Sequence, residues 1–449
     1  MKSATEKRNL QFNKMTTAPV GNLLLSLSIP TILTMMVTNI YSIADTGFVG
    51  TLGTSQSGAT GVVFGFMTIL QALGFLCGQG AGSTMSRKLG EKNIDEANTY
   101  TTTGFFMSFG LGLLSSIIGF CNMDRLLVLL GSTPTIAPYA RVYMTFILIA
   151  APFITSSFTL NNILRYEGKA KLGTIGMLTG AFLNIGLDAI LMFVFDMGIM
   201  GAGIATMSSQ IISFFILFGV FHTKTAQTRI SFKFLPRSFF VVWTILTIGF
   251  PSLLRQGLTG VAAMILNNQA GFYGDAAVSA MSIVSRISFF PLAIALGIGQ
   301  GFQPISSFNY GAGKKDRVRK AFFSALLASE IALAATAIPI FITAPQLINL
   351  LREDSAVIEI GTRALRLMCV ANLFMPLTMM VEMGYQSIGV KLLAILASSL
   401  RSGLILIPSL LILSNTRGLS GIQEAQPISI VISFLICIAL FKVYLNKLK

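Results

Sequence analysis

Charged residues are scarce in this chain: they make up 11% of it, whereas soluble domains contain about 25%. Hydrophobic residues make up 53% and form runs long enough for the about 20 residues that a helix needs to cross a bilayer. The sequence has none of the segments of about 10 residues with alternating polarity that outer-membrane barrels require. It therefore excludes a soluble globular protein and predicts an all-α integral membrane protein.

Histidine and cysteine are also rare. The only histidine, His222, lies in a basic loop, which excludes zinc-binding histidine motifs and Ser-His-Asp catalytic sets. The cysteines are too far apart for metal-ligand spacing, and no disulfide framework is predicted; they are Cys77, Cys121, Cys369 and Cys437. A phosphate-binding P-loop is missing as well. We therefore expect neither an enzyme nor a cofactor, and expect an ion gradient rather than ATP to supply energy.

Hydropathy predicts twelve transmembrane helices. They lie at 22–48, 58–84, 97–121, 139–160, 170–195, 201–221, 239–269, 277–305, 320–343, 358–386, 392–414 and 425–445. Of the 32 Lys and Arg residues, 23 fall in segments on one side, 6 on the other, and 3 inside spans. The positive-inside rule then predicts cytoplasmic termini in a multi-pass plasma (inner) membrane protein. The net charge of +15 is interpreted as loop anchoring, and no nucleic-acid partner is expected.

The two halves of the chain repeat each other. Glycine and proline motifs of the first half recur 221 residues later: Pro30, Gly78-Gln79-Gly80, Gly90 and Gly168 return as Pro251, Gly299-Gln300-Gly301, Gly311 and Gly389. Each copy holds six spans, so both insert with the same orientation, as in parallel-repeat transporters. The predicted architecture is two six-helix lobes related by a parallel pseudo-two-fold repeat. Its predicted segments are a cytoplasmic N-terminal tail (1–20), an N-lobe (21–221), a cytoplasmic linker (222–238), a C-lobe (239–445) and a C-terminal tail (446–449).

Two carboxylates stand alone in long apolar spans of the first half. Asp45 is the only charged residue between Lys14 and Arg87, and a charge at the bilayer centre costs roughly 2.5–3.5 kcal/mol on insertion scales. Asp188 follows Asn184 by four residues, so both side chains share one helix face. Either these residues bind a proton or a small cation, or Asn184 and Asp188 make a structural hydrogen bond between helices.

The second half carries Glu382 inside a span, together with three embedded arginines, Arg255, Arg286 and Arg401. Glu382 either lines a cavity or pairs with one of these arginines. The arginines either neutralise Glu382 or favour anionic groups in that half of the molecule. The sequence leaves both questions open.

With these motifs in place, the whole chain resembles the MATE (multidrug and toxic compound extrusion) family, and its second-half motifs resemble the bacterial multidrug branch. The resemblance rests on Ala-Asp-Thr-Gly-Phe-Val-Gly at 44–50, the Gly-Gln-Gly segments, Asn-Tyr-Gly-Ala at 309–312 and Asn-Ile-Gly-Leu-Asp at 184–188. It implies a V-shaped pair of six-helix lobes that exports organic cations and amphipathic drugs in exchange for protons or sodium. It also implies a monomer in the lipid bilayer acting on small drug-like molecules.

The resemblance also implies roles for individual residues. Asp45, Asn184 and Asp188 match the residues that bind the coupling cation, and would be metal ligands if that ion is sodium. Thr206 matches less specifically as an oxygen ligand, and Tyr143 and Asn161 join the set on position alone. Flexible thioethers and aromatic rings suit a promiscuous pocket. The predicted substrate cavity includes Glu382, Gln256, Asn267, Met264 and Phe153.

Two departures from the family pattern matter. Ala189 follows Asp188 where many relatives carry proline, and span seven has no carboxylate. We therefore expect coupling in the first lobe alone. The alternatives are a flippase for lipid-linked sugars, which would need the three arginines to line one groove, and an uncoupled channel or receptor, against which the two-lobe repeat argues.

Overall fold

A computed structural model of the chain describes residues 4–223 and 225–448, without the side chains of residues 4, 5, 7, 39 and 41–47. The described residues form helices joined by short turns. In chain order the α-helices are α1 (Ala4–Thr17), α2 (Val20–Gly50), α3 (Thr54–Gly90), α4 (Ile94–Cys121), α5 (Met123–Leu129), α6 (Ala137–Tyr166), α7 (Ala170–Ala189), α8 (Gly198–His222), α9 (Phe239–Gly271), α10 (Asp275–Gly311), α11 (Lys315–Ile342), α12 (Ala344–Leu351), α13 (Ser355–Asn372), α14 (Met375–Ile388), α15 (Lys391–Ser399), α16 (Leu406–Arg417) and α17 (Leu419–Lys447).

Among the described residues, eleven helices are long and apolar enough to cross a membrane, and the bent pair of α13 and α14 makes twelve when counted as one span. The predicted all-α architecture with twelve spans is thereby confirmed. The bend between α13 and α14 is 51°. Pro376 lies in the first turn of α14, where its missing N–H and fixed φ favour a helix start over a continuous helix.

Two spans contain π-helical segments that the sequence did not predict. One, Ile190–Val194, continues from α7, and the other, Leu400–Leu404, joins α15 to α16. Such wide turns are rare and occur mostly at functional sites. The first begins two residues after Asp188, and the second contains Arg401.

Three shorter helices were not predicted either. α1 lies in the segment interpreted as a polar tail, and buries Met15 completely. α5 and α12 connect spans in the two halves, and α12 begins 221 residues after α5. Their equivalent positions extend the internal repeat beyond the glycine and proline motifs.

The chain divides into two compact units. Unit 1 comprises Met1–Thr17 and Leu33–Leu253, and unit 2 comprises Ala18–Ile32 and Leu254–Lys449. The first part of α2 therefore belongs to unit 2, and the first part of α9 belongs to unit 1. The two exchanged segments are repeat equivalents, because Leu253 follows Ile32 by the same 221 residues. The lobes predicted from the sequence, with limits at residues 221 and 239, are continuous stretches of chain without exchanged segments. These limits stay a prediction.

Glycines allow the exchanged segment of α9 to pack tightly inside unit 1. A Cβ atom at Gly80 would lie within 3.0 Å of the Ile245 backbone, and one at Gly249 would lie that close to the Leu76 backbone. Real Cβ atoms essentially never approach so closely. Small residues such as these allow two membrane helices to approach each other closely.

The exchanged segment of α2 packs in the same way inside unit 2. A Cβ atom at Gly301 would collide with the backbone of Ser28, and one at Gly297 would collide with Ile32. Ser28 Oγ also lies 3.5 Å from the carbonyl oxygen of Ile298. Both exchanges thus include close approach to a neighbouring backbone at the repeat-equivalent glycines Gly80 and Gly301.

Glu167, in the turn between α6 and α7, has a structural role that the sequence did not indicate. Its carboxylate is completely buried and accepts hydrogen bonds from the N–H groups of Gln227 and Thr228, at 2.7 and 2.9 Å. Gln11 of α1 donates to the Glu167 carbonyl oxygen at 3.1 Å. Glu167 therefore fixes the start of the linker, together with α1, to unit 1.

Candidate functional site

A buried polar cluster lies in unit 1, where α6, α7 and α8 meet. Asn184 and Asp188 are one turn apart on α7, and both are at most 2% exposed. Asn184 Nδ2 lies 3.3 Å from Thr206 Oγ1 on α8, and the Tyr143 hydroxyl on α6 lies 3.2 Å from the same oxygen. The structure thus brings together four of the six residues predicted for cation coupling.

The cluster is rich in oxygen atoms. Asn184 Oδ1 is buried, and no described residue donates a hydrogen bond to it. The Asp188 carboxylate is completely buried one turn further along α7. A buried polar atom without a hydrogen bond costs free energy. Accepting a hydrogen bond or coordinating a cation at Asn184 Oδ1 would therefore be favourable.

Of the other two predicted members, Asn161 lies apart from this cluster, and the side chain of Asp45 is not among those that the structure describes. Asp45 lies in α2, but its side chain is outside the described residues, so its convergence with Asp188 stays a prediction. Asn161 lies against Gly173 of α7. Eleven residues separate Gly173 from Asn184, which corresponds to about 16 Å along the helix. The structure therefore does not bring Asn161 to the buried cluster.

Unit 2 contains a buried ion pair. Arg255 of α9 and Glu382 of α14 are 5% and 2% exposed, and Nη1 of the arginine lies 2.6 Å from Oε1 of the glutamate. The sequence left two roles open for Glu382, and in the structure Glu382 pairs with an embedded arginine. The contact of Glu382 with substrate stays a prediction.

A second arginine lies close to this pair. Arg401 is half-buried, and its Nη1 lies 3.8 Å from the sulfur atom of Met375, which is seven residues before Glu382 on α14. Among the described residues, Arg255 is the arginine that forms a salt bridge with Glu382. Arg286 is exposed on α10 and is not part of this buried group.

The other predicted cavity residues do not form one cluster. Phe153 packs edge-on against Phe214 of α8, with ring centroids 5.2 Å apart, inside unit 1. Gln256, Met264 and Asn267 lie along α9; Gln256 is half-buried and the other two are exposed. Within the described part of the chain, no group of three or more His, Cys, Asp or Glu side chains could hold a metal ion.

Known proteins resemble the chain over most of its length. A sequence profile of the MatE family matches residues 30–190 and 251–412, once in each half. The multidrug export protein MepA of Staphylococcus saprophyticus is 27% identical over 402 residues, which cover 88% of this chain and 87% of that protein. MepA of Staphylococcus aureus strain MRSA252 is 27% identical over 412 residues, which cover 90% of both chains.

Solved structures share the fold. An outward-facing multidrug resistance MATE family transporter of the MOP superfamily superposes with a TM-score of 0.90 at 25% identity, over 97% of this chain and 98% of that one. The helical spans and the internal repeat thus define a polytopic membrane protein with two similar halves. Since the profile matches well over half of the chain, the protein belongs to the MatE family and is a membrane transporter, not an enzyme.

Proposed function

We propose that the protein is a cation-coupled antiporter that exports organic cations and amphipathic drugs across the plasma membrane. The observation that carries this proposal is the buried cluster of Asn184, Asp188, Thr206 and Tyr143 in unit 1. Two relatives named as multidrug export proteins, each matched over about nine tenths of both chains, support the drug substrates.

The coupling ion is H⁺ or Na⁺, and it binds at Asp188. Hard cations prefer oxygen ligands, and the buried cluster offers several of them, so a proton or a hard cation held there stabilises the cluster. Asn184 Oδ1 supplies one such oxygen and Thr206 Oγ1 another, with Asp45 as the second proposed carboxylate. Moving one charge through 100 mV yields about 2.3 kcal/mol, which is enough for roughly fifty-fold accumulation of a substrate.

Ion and substrate binding alternate as the two lobes switch access between the two sides. Binding of the cation shifts α2 and displaces the drug, which resets the transporter. Gln256, Asn267, Met264, Phe153 and Glu382 are the proposed cavity residues. We further propose that both termini are cytoplasmic, because most Lys and Arg residues fall on that side, and that the protein works as a monomer.

Reconstitution tests the antiport. Purified protein in liposomes is supplied with a fluorescent cationic dye, and a proton or a sodium gradient is imposed separately. We expect one of the gradients to drive dye accumulation, and Asp188→Asn to reduce it to the level of protein-free liposomes. Asp196→Asn is the matched control. Asp196 is exposed, lies six residues after the start of the π-helical segment at Ile190, and has a positive φ that asparagine tolerates.

Undiminished accumulation by Asp188→Asn protein would contradict the assigned ion site. The flippase for lipid-linked sugars is favoured by one observation: Arg255 and Arg401 both contact α14, through Glu382 and Met375 respectively. Dye that neither binds nor moves under either gradient, together with transfer of a lipid-linked sugar between leaflets, would support that alternative.

A further inference from the structure

The start of α11 in unit 2 carries an unusually basic surface. Five of the seven residues from 314 to 320 are Lys or Arg, and Asp316 is the only acidic one. Lys314, Lys315, Arg317 and Arg319 line a cavity of about 540 Å³, whose far wall is formed by Leu445 and Leu448 at the end of the chain. We call this cavity the basic pocket.

An apolar groove adjoins the basic pocket. It has a volume of about 420 Å³ and runs along α11 past Phe323 and Leu327, which are 41% and 62% exposed. Asp316 and Arg319 line both cavities, so the two lie side by side. The guanidinium of Arg319 lies 6.0 Å from the ring centre of Phe323, at the junction of the pocket and the groove.

Three basic residues of this surface have no carboxylate partner among the residues that the structure describes. Considering the described residues only, Lys315, Arg319 and Lys320 form no salt bridge with a carboxylate. Arg317 donates hydrogen bonds to the Ala18 carbonyl oxygen at 2.7 Å and to Asn309 Oδ1 at 3.1 Å. These two hydrogen bonds orient the Arg317 side chain.

The repeat-equivalent turn in unit 1 is built differently. There Lys88 Nζ lies 2.9 Å from Glu91 and 2.8 Å from Glu96, and Asn93 caps α4 by accepting a hydrogen bond from the Glu96 N–H. Residues 93–99 contain two acidic residues and no basic one. Loop anchoring by positive charge therefore does not require the excess at 314–320, because the equivalent turn lacks it.

We propose that the basic pocket and the apolar groove together bind one anionic phospholipid of the cytoplasmic leaflet. The phosphate of the headgroup lies among Lys315, Arg317 and Arg319, and an acyl chain follows Phe323 and Leu327 along α11. Basic pockets between transmembrane helices on the cytoplasmic side suit such headgroups. The adjoining apolar groove can hold an acyl chain, which favours a lipid over a free phosphate ion. This inference rests on the proposed orientation of the chain but not on its transport activity.

Native mass spectrometry of the full-length protein in detergent tests the proposal. Dioleoyl phosphatidylglycerol and dioleoyl phosphatidylcholine, which share their acyl chains, are titrated separately, and inorganic phosphate is added as a competitor. We expect preferential binding of phosphatidylglycerol that Lys315→Gln/Arg319→Gln weakens about tenfold. The double variant Lys233→Gln/Arg237→Gln removes two exposed charges from the linker and is expected to leave binding unchanged.

Three outcomes would overturn the proposal. Equal binding of the two lipids would remove the role of the headgroup charge, and an equal loss in the linker variant would reduce the effect to net charge. Complete displacement by millimolar inorganic phosphate would identify a site for a free anion. If Lys315→Gln/Arg319→Gln protein does not fold, Arg319→Gln/Lys320→Gln replaces it, and unchanged lipid binding in that variant would equally contradict the proposal.

Discussion

At the scale of single residues, unit 2 contains a buried ion pair. Arg255 and Glu382 are removed from water and depend on each other, with a contact of 2.6 Å. The free energy needed to take two charges out of water can exceed the free energy gained from their attraction. Such a pair therefore need not stabilise the fold. Removing only one partner leaves an uncompensated buried charge, and that is strongly destabilising.

The pair therefore predicts a non-additive effect on stability. We expect Arg255→Met to lower the free energy of unfolding by about 3–5 kcal/mol, because Glu382 loses its counter-ion. The double variant Arg255→Met/Glu382→Leu should recover most of that loss. Thermal unfolding of the detergent-purified proteins measures both, with Arg286→Met as the exposed control. A double variant less stable than Arg255→Met alone would contradict the coupling.

The sequence predicted those residue contacts that depend on spacing along one helix. Asn184 and Asp188 share a face because they are four residues apart, and the structure places both in one buried cluster. The sequence could not decide whether Glu382 faced a cavity or an arginine, because that depends on how α9 and α14 cross. For the same reason Asn161 was grouped with Asn184, although it contacts a distant turn of α7.

At the scale of elements, close helix packing depends on single glycines. Gly249 and Gly257 lie on the same helix, α9, but only Gly249 faces a neighbouring backbone. We expect Gly249→Ala to destabilise unit 1 by at least about 1–3 kcal/mol, because its methyl group would force α9 away from α3. Gly257→Ala adds a methyl group with nothing within 4 Å, and alanine is the better helix former.

The melting temperatures and the yields of monodisperse protein distinguish these two variants. Gly249→Ala should lower both, whereas Gly257→Ala should match or exceed the unchanged protein. Equal behaviour of the two alanine variants would show that the approach of Gly249 to Leu76 is not limiting.

Elements were predicted well where hydropathy defines them. All twelve spans were located, because a bilayer requires long apolar helices and leaves few alternatives. The π-helical segments carry no such signal, since the residues of Leu400–Leu404 and Ile190–Val194 are compatible with an α-helix. α1 was missed because its polar composition resembles a solvated tail, and its helix is held by contacts with distant residues such as Glu167.

At the scale of the whole molecule, the internal repeat correctly indicated two similar halves but not how the chain fills two units. Hydropathy defines where a span lies in the sequence, and it does not define which helices pack against it. Each unit takes one segment from the opposite half, Ala18–Ile32 in unit 2 and residues 239–253 in unit 1. The linker is therefore not the boundary of either unit.

A chain cut within the linker should reveal this dependence. We expect fragment 1–237 expressed alone to aggregate or be degraded, because unit 1 lacks the α9 segment that packs on Gly80. Co-expression with fragment 238–449 should restore a complex that purifies as one species. A stable, monodisperse fragment 1–237 in the absence of its partner would contradict this expectation.

The exchange also sets the order in which the protein can mature during synthesis. Ala18–Ile32 leaves the ribosome among the first residues, but its packing partners Gly297 and Gly301 are made more than 260 residues later. The first span must therefore wait in the membrane with part of its surface uncovered while most of the other helices are inserted. Factors that shield nascent membrane helices therefore have their longest task at this segment. Unit 1 is complete once Leu253 has been made, just past the middle of the chain, whereas unit 2 needs the residues that follow.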